Sequence, residues 1–478
     1  MSASYAASAA RRRGAARLAA TALASGLLAA GALAGAGAAA ADTEPQSQGG
    51  ATATLGGLKT YGAAVLHDAA GDHPMSAGLF EMSVDGGGML QTYCVDIHNP
   101  AQRDAKYHET PWRGTSLGAD KNAGKIGWIL RNSYPQVNDL AALAAKAGVS
   151  NLTEQDAAAG TQVAIWRYSD GAHVDAVDPE AEKLAGYLQK EAGSVAEPAA
   201  SLSLDPPAVS GHPGQRLGPV TVRTGAGSVA VSPSADAAAG GVRIVDKNGR
   251  PVTSARNGTQ LFFDVPKSAT GADTAPVRPG AAGSAALTVQ ASTTVPVGRA
   301  FSADSRSQTQ ILAGSSESTV SATATAAWGA QGPIPALSAA KDCARSGLDI
   351  RVVNKGDAAF AFALTGTGYS VPARTDRTVT VPLQEDQAYD FTVNGPDGRG
   401  HRFTGVLDCK TQGSTIGTRT QTLSEPTPVT AGNLPAGPDL ADTGSTGTTP
   451  LIAAIGLSLL VLGGTVLSII HKKRATQE

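Results

Sequence analysis

The sequence predicts a multidomain chain, an α+β N-terminal region that is β-rich with helices, followed by two all-β sandwiches and a C-terminal transmembrane helix. Three observations predict it. Helical patterns at 121–131, 139–147, 154–169 and 180–191 follow strand patterns at 62–66, 79–84 and 89–97. From residue 199 onward, short β-branched runs are separated by Gly, Pro, Asn and Ser, with no further helical period. Residues 451–470 are uncharged and long enough to cross a bilayer, with Lys472, Lys473 and Arg474 behind them as a positive-inside anchor.

A length of 478 residues leaves room for about three domains. The net charge of −2 and the lack of a basic stripe interleaved with aromatics give no reason to expect nucleic-acid binding. Arg11, Arg12 and Arg13, then an uncharged Ala/Leu run and small residues through Ala41, form the pattern of a secretory signal peptide over 1–41. The mature chain is therefore expected outside the membrane.

The first domain is expected over 55–198. Asp85-Gly86-Gly87-Gly88 turns one strand into the next, and the returning strand carries Tyr93-Cys94-Val95-Asp96. Thr153 and Asp156 form a capping-box pattern at the start of the third helix, and Gly171 is a natural stop for it. That helix places Gln162 among large apolar groups in Thr161-Gln162-Val163-Ala164-Ile165-Trp166. A satisfied structural amide is one reading of Gln162, and a chemical partner is the other. The fourth helix opens with Asp178-Pro179-Glu180, an N-cap followed by proline at the first helical position. Trp112, Trp128 and Trp166 give this region the bulk for a large dry core.

The second domain, 199–332, has runs at 220–222, 229–231, 242–245, 261–265 and 287–291, with Lys247-Asn248-Gly249 as a turn cue. The third, 335–411, shows the clearest period of two: Leu348, Ile350 and Val352; Phe360, Phe362 and Leu364; Val379, Val381 and Leu383; Tyr389, Phe391 and Val393. It reads as an Ig-like sandwich. Residues 412–439, rich in Thr, Ser, Pro and Gly, read as an extended spacer.

Three cysteines in a secreted chain leave one outside any internal disulfide. Cys343 precedes the first predicted strand of the third domain and Cys409 follows the last, so a disulfide between them would tie its two ends. Cys94 is left over, as an inert buried thiol, an intermolecular disulfide or a thiol consumed in another covalent bond. His98, His108 and His173 are candidates for a Cys–His dyad with Cys94, and nothing in their spacing selects one. No His/Cys/carboxylate set has metal-ligand spacing and no phosphate-binding glycine loop occurs, so no metal or cofactor is expected.

The pair Tyr93-Cys94-Val95-Asp96 and Thr161-Gln162-Val163-Ala164-Ile165-Trp166 resembles the thioester (TQxA) domains of Gram-positive surface proteins. The resemblance implies an internal thioester between the Cys94 sulfur and the Gln162 side-chain carbonyl, formed with loss of ammonia. Tyr93, Trp166 and Tyr168 are the candidate shielding residues, with Asp96 and Thr161 as support. Leu440-Ala441-Asp442-Thr443-Gly444, ahead of the apolar run and basic tail in 440–478, resembles the LAxTG sorting signal favoured by class E sortases. This implies cleavage after Thr443 and transfer to cell-wall peptidoglycan. The expected protein is a wall-anchored, single-use adhesin rather than an enzyme, with the two β-domains as its stalk. Its target would be a surface protein, a polyamine or a polysaccharide, joined through an amine or other nucleophile. The alternatives are a secreted acyl-transfer enzyme using Cys94, with Gln162 as oxyanion donor, and a passive structural stalk protein.

Overall fold

The computed structural model describes residues 49–267 and 282–411. The expected signal peptide, spacer, LAxTG motif and membrane segment lie outside the described residues. Among the described residues no helix is long and apolar enough to cross a membrane.

The first region contains β1 (Thr52–Asp68), β2 (Gly71–Val84), β3 (Met89–Cys94), β4 (Lys106–Thr110), α1 (Ala123–Asn132), α2 (Leu140–Ala147), α3 (Glu154–Ser169), β5 (Val174–Ala176) and α4 (Pro179–Glu191). The helix ends follow from local chemistry. Thr153 and Asp156 complete a reciprocal capping box at the start of α3, and the Asp178 side chain accepts from the N–H groups of Glu180 and Ala181 at the start of α4. Gly171 lies just beyond α3 with φ of 62°, a left-handed conformation that glycine adopts without strain.

The second region holds β6 (Leu202–Asp205), β7 (Ala208–Gly211), β8 (Arg216–Thr224), β9 (Val229–Pro233), the short α5 (Ala235–Ala239), β10 (Arg243–Val245), β11 (Ser254–Ala255), β12 (Gln260–Asp264), β13 (Gly283–Thr294), β14 (Ala300–Ala303), β15 (Gln310–Ser315) and β16 (Glu317–Trp328). A four-stranded sheet, β10-β12-β8-β6, and a five-stranded sheet, β11-β9-β13-β16-β7, form a sandwich. Leu204, Val220, Val222, Leu261, Phe263, Leu287 and Val289 are among its buried side chains. Each expected run falls on a strand, with Val242 and Val265 one residue outside β10 and β12. The missed strands include β6, β7 and β16; between Ser318 and Trp328 the buried positions of β16 are Val320, Ala322, Ala324 and Ala326, too small to give a strong hydrophobic period.

The largest departure from expectation concerns β14 and β15. β13 and β16 pair antiparallel over their whole length, but the segment joining them is no tight turn. It leaves the sandwich and adds β14 and β15 to the first region's sheet, whose order is β2-β3-β15-β14-β4-β1-β5. Because β1 also pairs with β2, six of these strands close into a ring. The boundary expected at 198/199 therefore divides residues that share one sheet. Closing the ring covers edges of β3 and β4 that would otherwise present unpaired backbone groups. The two regions share one continuous apolar core.

The third region comprises β17 (Pro335–Asp342), β18 (Gly347–Asn354), β19 (Phe360–Leu364), β20 (Thr367–Val371), β21 (Asp376–Pro382), β22 (Ala388–Asn394) and β23 (Gly400–Val406). It has its own core, including Leu348, Ile350, Val352, Phe360, Phe362, Val379 and Val381 from the period-two runs. A disulfide joins Cys343 and Cys409. Cys343 follows β17, a strand the sequence reading missed, so the bridge ties the β17–β18 connection to the segment after β23 rather than the two extreme ends.

Candidate functional site

Cys94 is the last residue of β3 and a buried free thiol. The pairing of β3 with β2 ends at Phe80↔Thr92, so on that side the backbone of Cys94 has no strand partner. Gln162, on α3, takes the vacant place. Its carbonyl oxygen accepts from the Cys94 N–H at 3.0 Å, and its side-chain N–H donates to the Cys94 carbonyl at 2.8 Å. The carboxamide thus bonds the backbone on both sides of the Cα that bears the thiol. Gln162 is 0% exposed and Cys94 1%, so the pair is shut away from water.

α3 is pinned a second time two turns further on. Asp170, its C-cap residue, accepts from the Ile97 N–H at 3.2 Å and from the Ser169 hydroxyl at 2.6 Å. The two anchors fix both the height and the rotation of the helix against the end of β3. Burial raises the Asp170 carboxyl to about 7.

The other edge of β3 meets β15, with Gln310 opposite Cys94 and Leu312 opposite Thr92. Gln310, fully buried, donates its side-chain N–H to the Cys94 sulfur at 3.0 Å, while its oxygen accepts from the Thr92 hydroxyl at 2.8 Å. Tyr107, on β4, is fully buried, and burial raises its pKa. The Tyr107 hydroxyl bonds Ser307 at 2.6 Å and the Gln308 carbonyl at 2.9 Å. Sequence reasoning missed Gln310, Tyr107 and Asp170, because no local spacing signals a partner that arrives from another strand or from a helix end.

The expected supporting residues fall in different places. Trp166 lies one turn beyond Gln162 and is 2% exposed, and its indole N–H has no partner among the described residues. Tyr168 is on another face of α3, where its hydroxyl donates to the Gln189 carbonyl at 2.6 Å and Lys125 lies over its ring. It packs α3 against α4 and does not wall the site. Tyr93 precedes Cys94 on a strand, so the two side chains leave opposite faces; the Tyr93 hydroxyl donates to the Tyr134 carbonyl at 2.9 Å. Tyr93 therefore seals the reverse of the sheet. The Thr161 hydroxyl donates to the Ala157 carbonyl one turn back at 2.7 Å.

Asp96 organises the chain just after β3 by accepting from the N–H groups of His98 and Asn99, at 2.9 and 3.2 Å. Burial, then the nearby Asp170 and Asp408, raises its carboxyl well above the usual range. Burial likewise pushes the Cys94 thiol up, opposed by the Gln310 hydrogen bond. The three candidate histidines do not form the hydrogen bonds of a dyad with Cys94. His108 bonds Thr52 at 3.1 Å and Asp304 at 2.8 Å, His173 packs its ring beside His67, and His98 is exposed, its pKa lowered by partial desolvation.

A cavity of about 420 Å³ lies elsewhere, lined by Glu109, Arg113, Glu197 and Arg299 among others, and includes neither Cys94 nor Gln162. In its wall Arg299 donates to Glu109 at 2.8 Å, to Glu197 at 2.6 Å and to the Pro198 carbonyl at 3.2 Å. This network anchors the approach to β14, and so the path of the chain that delivers Gln310.

No curated protein sequence matches the chain. Among solved structures, the Bacillus anthracis TIE protein is similar at 14% identity with a TM-score of 0.26, over 68% of this chain and 64% of that one. This chain thus spans just under two thirds of that relative. The thioester domain of the Enterococcus faecium TIE86 protein is similar at 13% identity with a TM-score of 0.27, over 58% of this chain and 96% of that one. The segment that holds both Cys94 and Gln162, residues 91–194, matches the thioester domain family.

Proposed function

We propose that this chain is a surface protein that captures a nucleophile covalently through a Cys94–Gln162 thioester. The observation that carries the reading is the Gln162 carboxamide held by two hydrogen bonds to the Cys94 backbone, which makes the encounter of sulfur and carbonyl carbon effectively unimolecular. In the forming step the sulfur attacks the Gln162 carbonyl carbon, the C–S bond forms and the C–N bond breaks. The amide nitrogen leaves as ammonia with the thiol proton. In the capture step an amine attacks the same carbon, the C–N bond forms, the C–S bond breaks and a proton from the amine passes to sulfur. The partner is left joined to Gln162 by an amide.

Burial supports the reading, because a thioester exposed to water is lost by hydrolysis before a partner arrives. It also favours a single-use binder over a recycling enzyme. The released Cys94 thiol, its pKa raised by burial and without a histidine dyad among the described residues, is a poor nucleophile for a second acyl group. The targets that fit are amines on a surface protein or polyamine, or a hydroxyl of a polysaccharide. The LAxTG pattern at 440–444 and the two β-domains complete the proposal of a stalked, wall-anchored adhesin on the outer surface, attached to peptidoglycan by a class E sortase.

The test is peptide mapping by mass spectrometry of the purified full-length chain, before and after methylamine. The reading requires a peptide pair joined through Cys94 and Gln162 that is lighter by one ammonia. Methylamine must convert it to a free thiol and a methylamide at Gln162, and Gln162→Ala must abolish the linkage. An intact Gln162 amide together with a Cys94 that alkylates at rest would sink it.

A further inference from the structure

We propose that Gln310 is a catalytic residue of this thioester chemistry, its side-chain N–H stabilising negative charge on the Cys94 sulfur when the bond forms and again when it opens. The proposal rests on the covalent-capture reading and adds to it a residue outside the segment that matches the thioester family.

Chemical need and geometry point to the same atom. Burial disfavours the thiolate, yet sulfur must carry negative charge both as nucleophile and as leaving group. Gln310 supplies a donor at 3.0 Å from that sulfur, without exposing the site to water. The orientation of its amide is set by Thr92. The Thr92 hydroxyl donates at 2.8 Å to the Gln310 oxygen, which leaves the N–H end for the sulfur. Once the thioester exists the sulfur bears no hydrogen, so a neighbour that donates is the complementary one. The strand register keeps these groups together. Gln310 lies opposite Cys94 and Leu312 opposite Thr92, so Thr92 is the diagonal neighbour of Gln310, on the same face. All three side chains are buried.

The donor does not belong to the segment carrying Cys94 and Gln162. It arrives on β15, 216 residues beyond Cys94, as part of the excursion that closes the ring of strands. The reactive centre is thus completed by chain that follows the sandwich strands β6–β13 in sequence. Until β15 docks, sulfur and carboxamide lack the group that makes the thiolate accessible. Burial of the pair and completion of its chemistry therefore coincide.

The test compares the full-length chain with its Gln310→Met variant, which keeps a side chain of similar length without a donor, and with Thr92→Val, which leaves Gln310 in place without its anchor. The readouts are the fraction of ammonia-lost Cys94–Gln162 linkage over time after synthesis, and the rate at which methylamine opens it. Loss of one donor to developing charge costs about 10²–10³-fold in rate at an oxyanion, and the charge on sulfur is more diffuse. The expected slowing is about 10- to 100-fold for Gln310→Met and about fivefold for Thr92→Val. In a Gln162→Ala background, Gln310→Met is expected to slow alkylation of Cys94 at pH 8, whereas merely loosened packing would speed it. If wild type carries the thioester and both variants form and open it within twofold of wild type, or if alkylation is unchanged or faster, the role of Gln310 is refuted while the capture reading stands. Absence of the linkage from wild type overturns both.

Discussion

Replacing Arg299 by methionine tests how the fold delivers the second half of the site. The guanidinium is 4% exposed and Glu109 0%, and Arg299 precedes β14 directly. In the variant the Glu109 carboxylate keeps the N–H donors of Ala51 at 3.2 Å and Ser201 at 2.9 Å, together with the Ser201 hydroxyl, but loses its only ion-pair partner among the described residues. Removing one member of a buried pair costs about 3–5 kcal/mol. Glu197 is 33% exposed and keeps the Trp112 N–H at 2.9 Å, so water replaces its lost partner and the loss adds about 1 kcal/mol at most. The expected loss is thus about 4 kcal/mol. The double variant Glu109→Gln/Arg299→Met removes the stranded charge and is expected to recover at least half of that loss. Urea unfolding followed by tryptophan fluorescence is a suitable assay, because the Trp112 indole N–H donates to the Gly298 carbonyl at 2.8 Å, beside the altered position. The single variant should also carry less of the Cys94–Gln162 linkage. A loss below about 1 kcal/mol, or a double variant no better than the single one, would refute the argument that buried charge holds the approach to β14.

Two further predictions concern stability. Asp170 and Asp408 are raised by burial to about 7 and about 6, so the folded chain holds protons that the unfolded chain releases. Their contribution is full below about pH 4 and is lost as pH rises through about 6–7; Asp170→Asn should therefore raise the melting temperature at pH 8 relative to wild type more than at pH 5, and an equal shift at both would count against the assignment. The Cys343–Cys409 bridge spans 66 residues, for which the chain-entropy model gives about 4 kcal/mol, so the Cys343→Ala/Cys409→Ala variant should unfold at lower urea, and an unchanged midpoint would contradict it.

The legible parts of the site were those written in local chemistry. The capping box at Thr153, the glycine stop at 171 and the Asp178-Pro179 start each use partners within four residues, so helices α3 and α4 follow from sequence almost to the residue. The period-two runs of the third region likewise placed four of its strands, because side-chain alternation needs no knowledge of which strand lies beside it. Cys94 and Gln162 could be singled out by a leftover cysteine and by a buried amide among aromatics. Tyr168 marks the limit of that reasoning: its nearness in sequence to Gln162 implied a shared face, whereas helical geometry turns it toward Gln189.

By itself the sequence determined the helices, short stretches of several strands, the unpaired cysteine and the glutamine that faces it, since these depend on residue order over a turn or a strand. Only the tertiary structure decided that β14 and β15 leave their sandwich to close another sheet, and that Gln310 thereby reaches the Cys94 sulfur. Strand partners are chosen by matching edges and burying faces across hundreds of residues. That choice is a property of the whole packed chain, and no local window of sequence contains it.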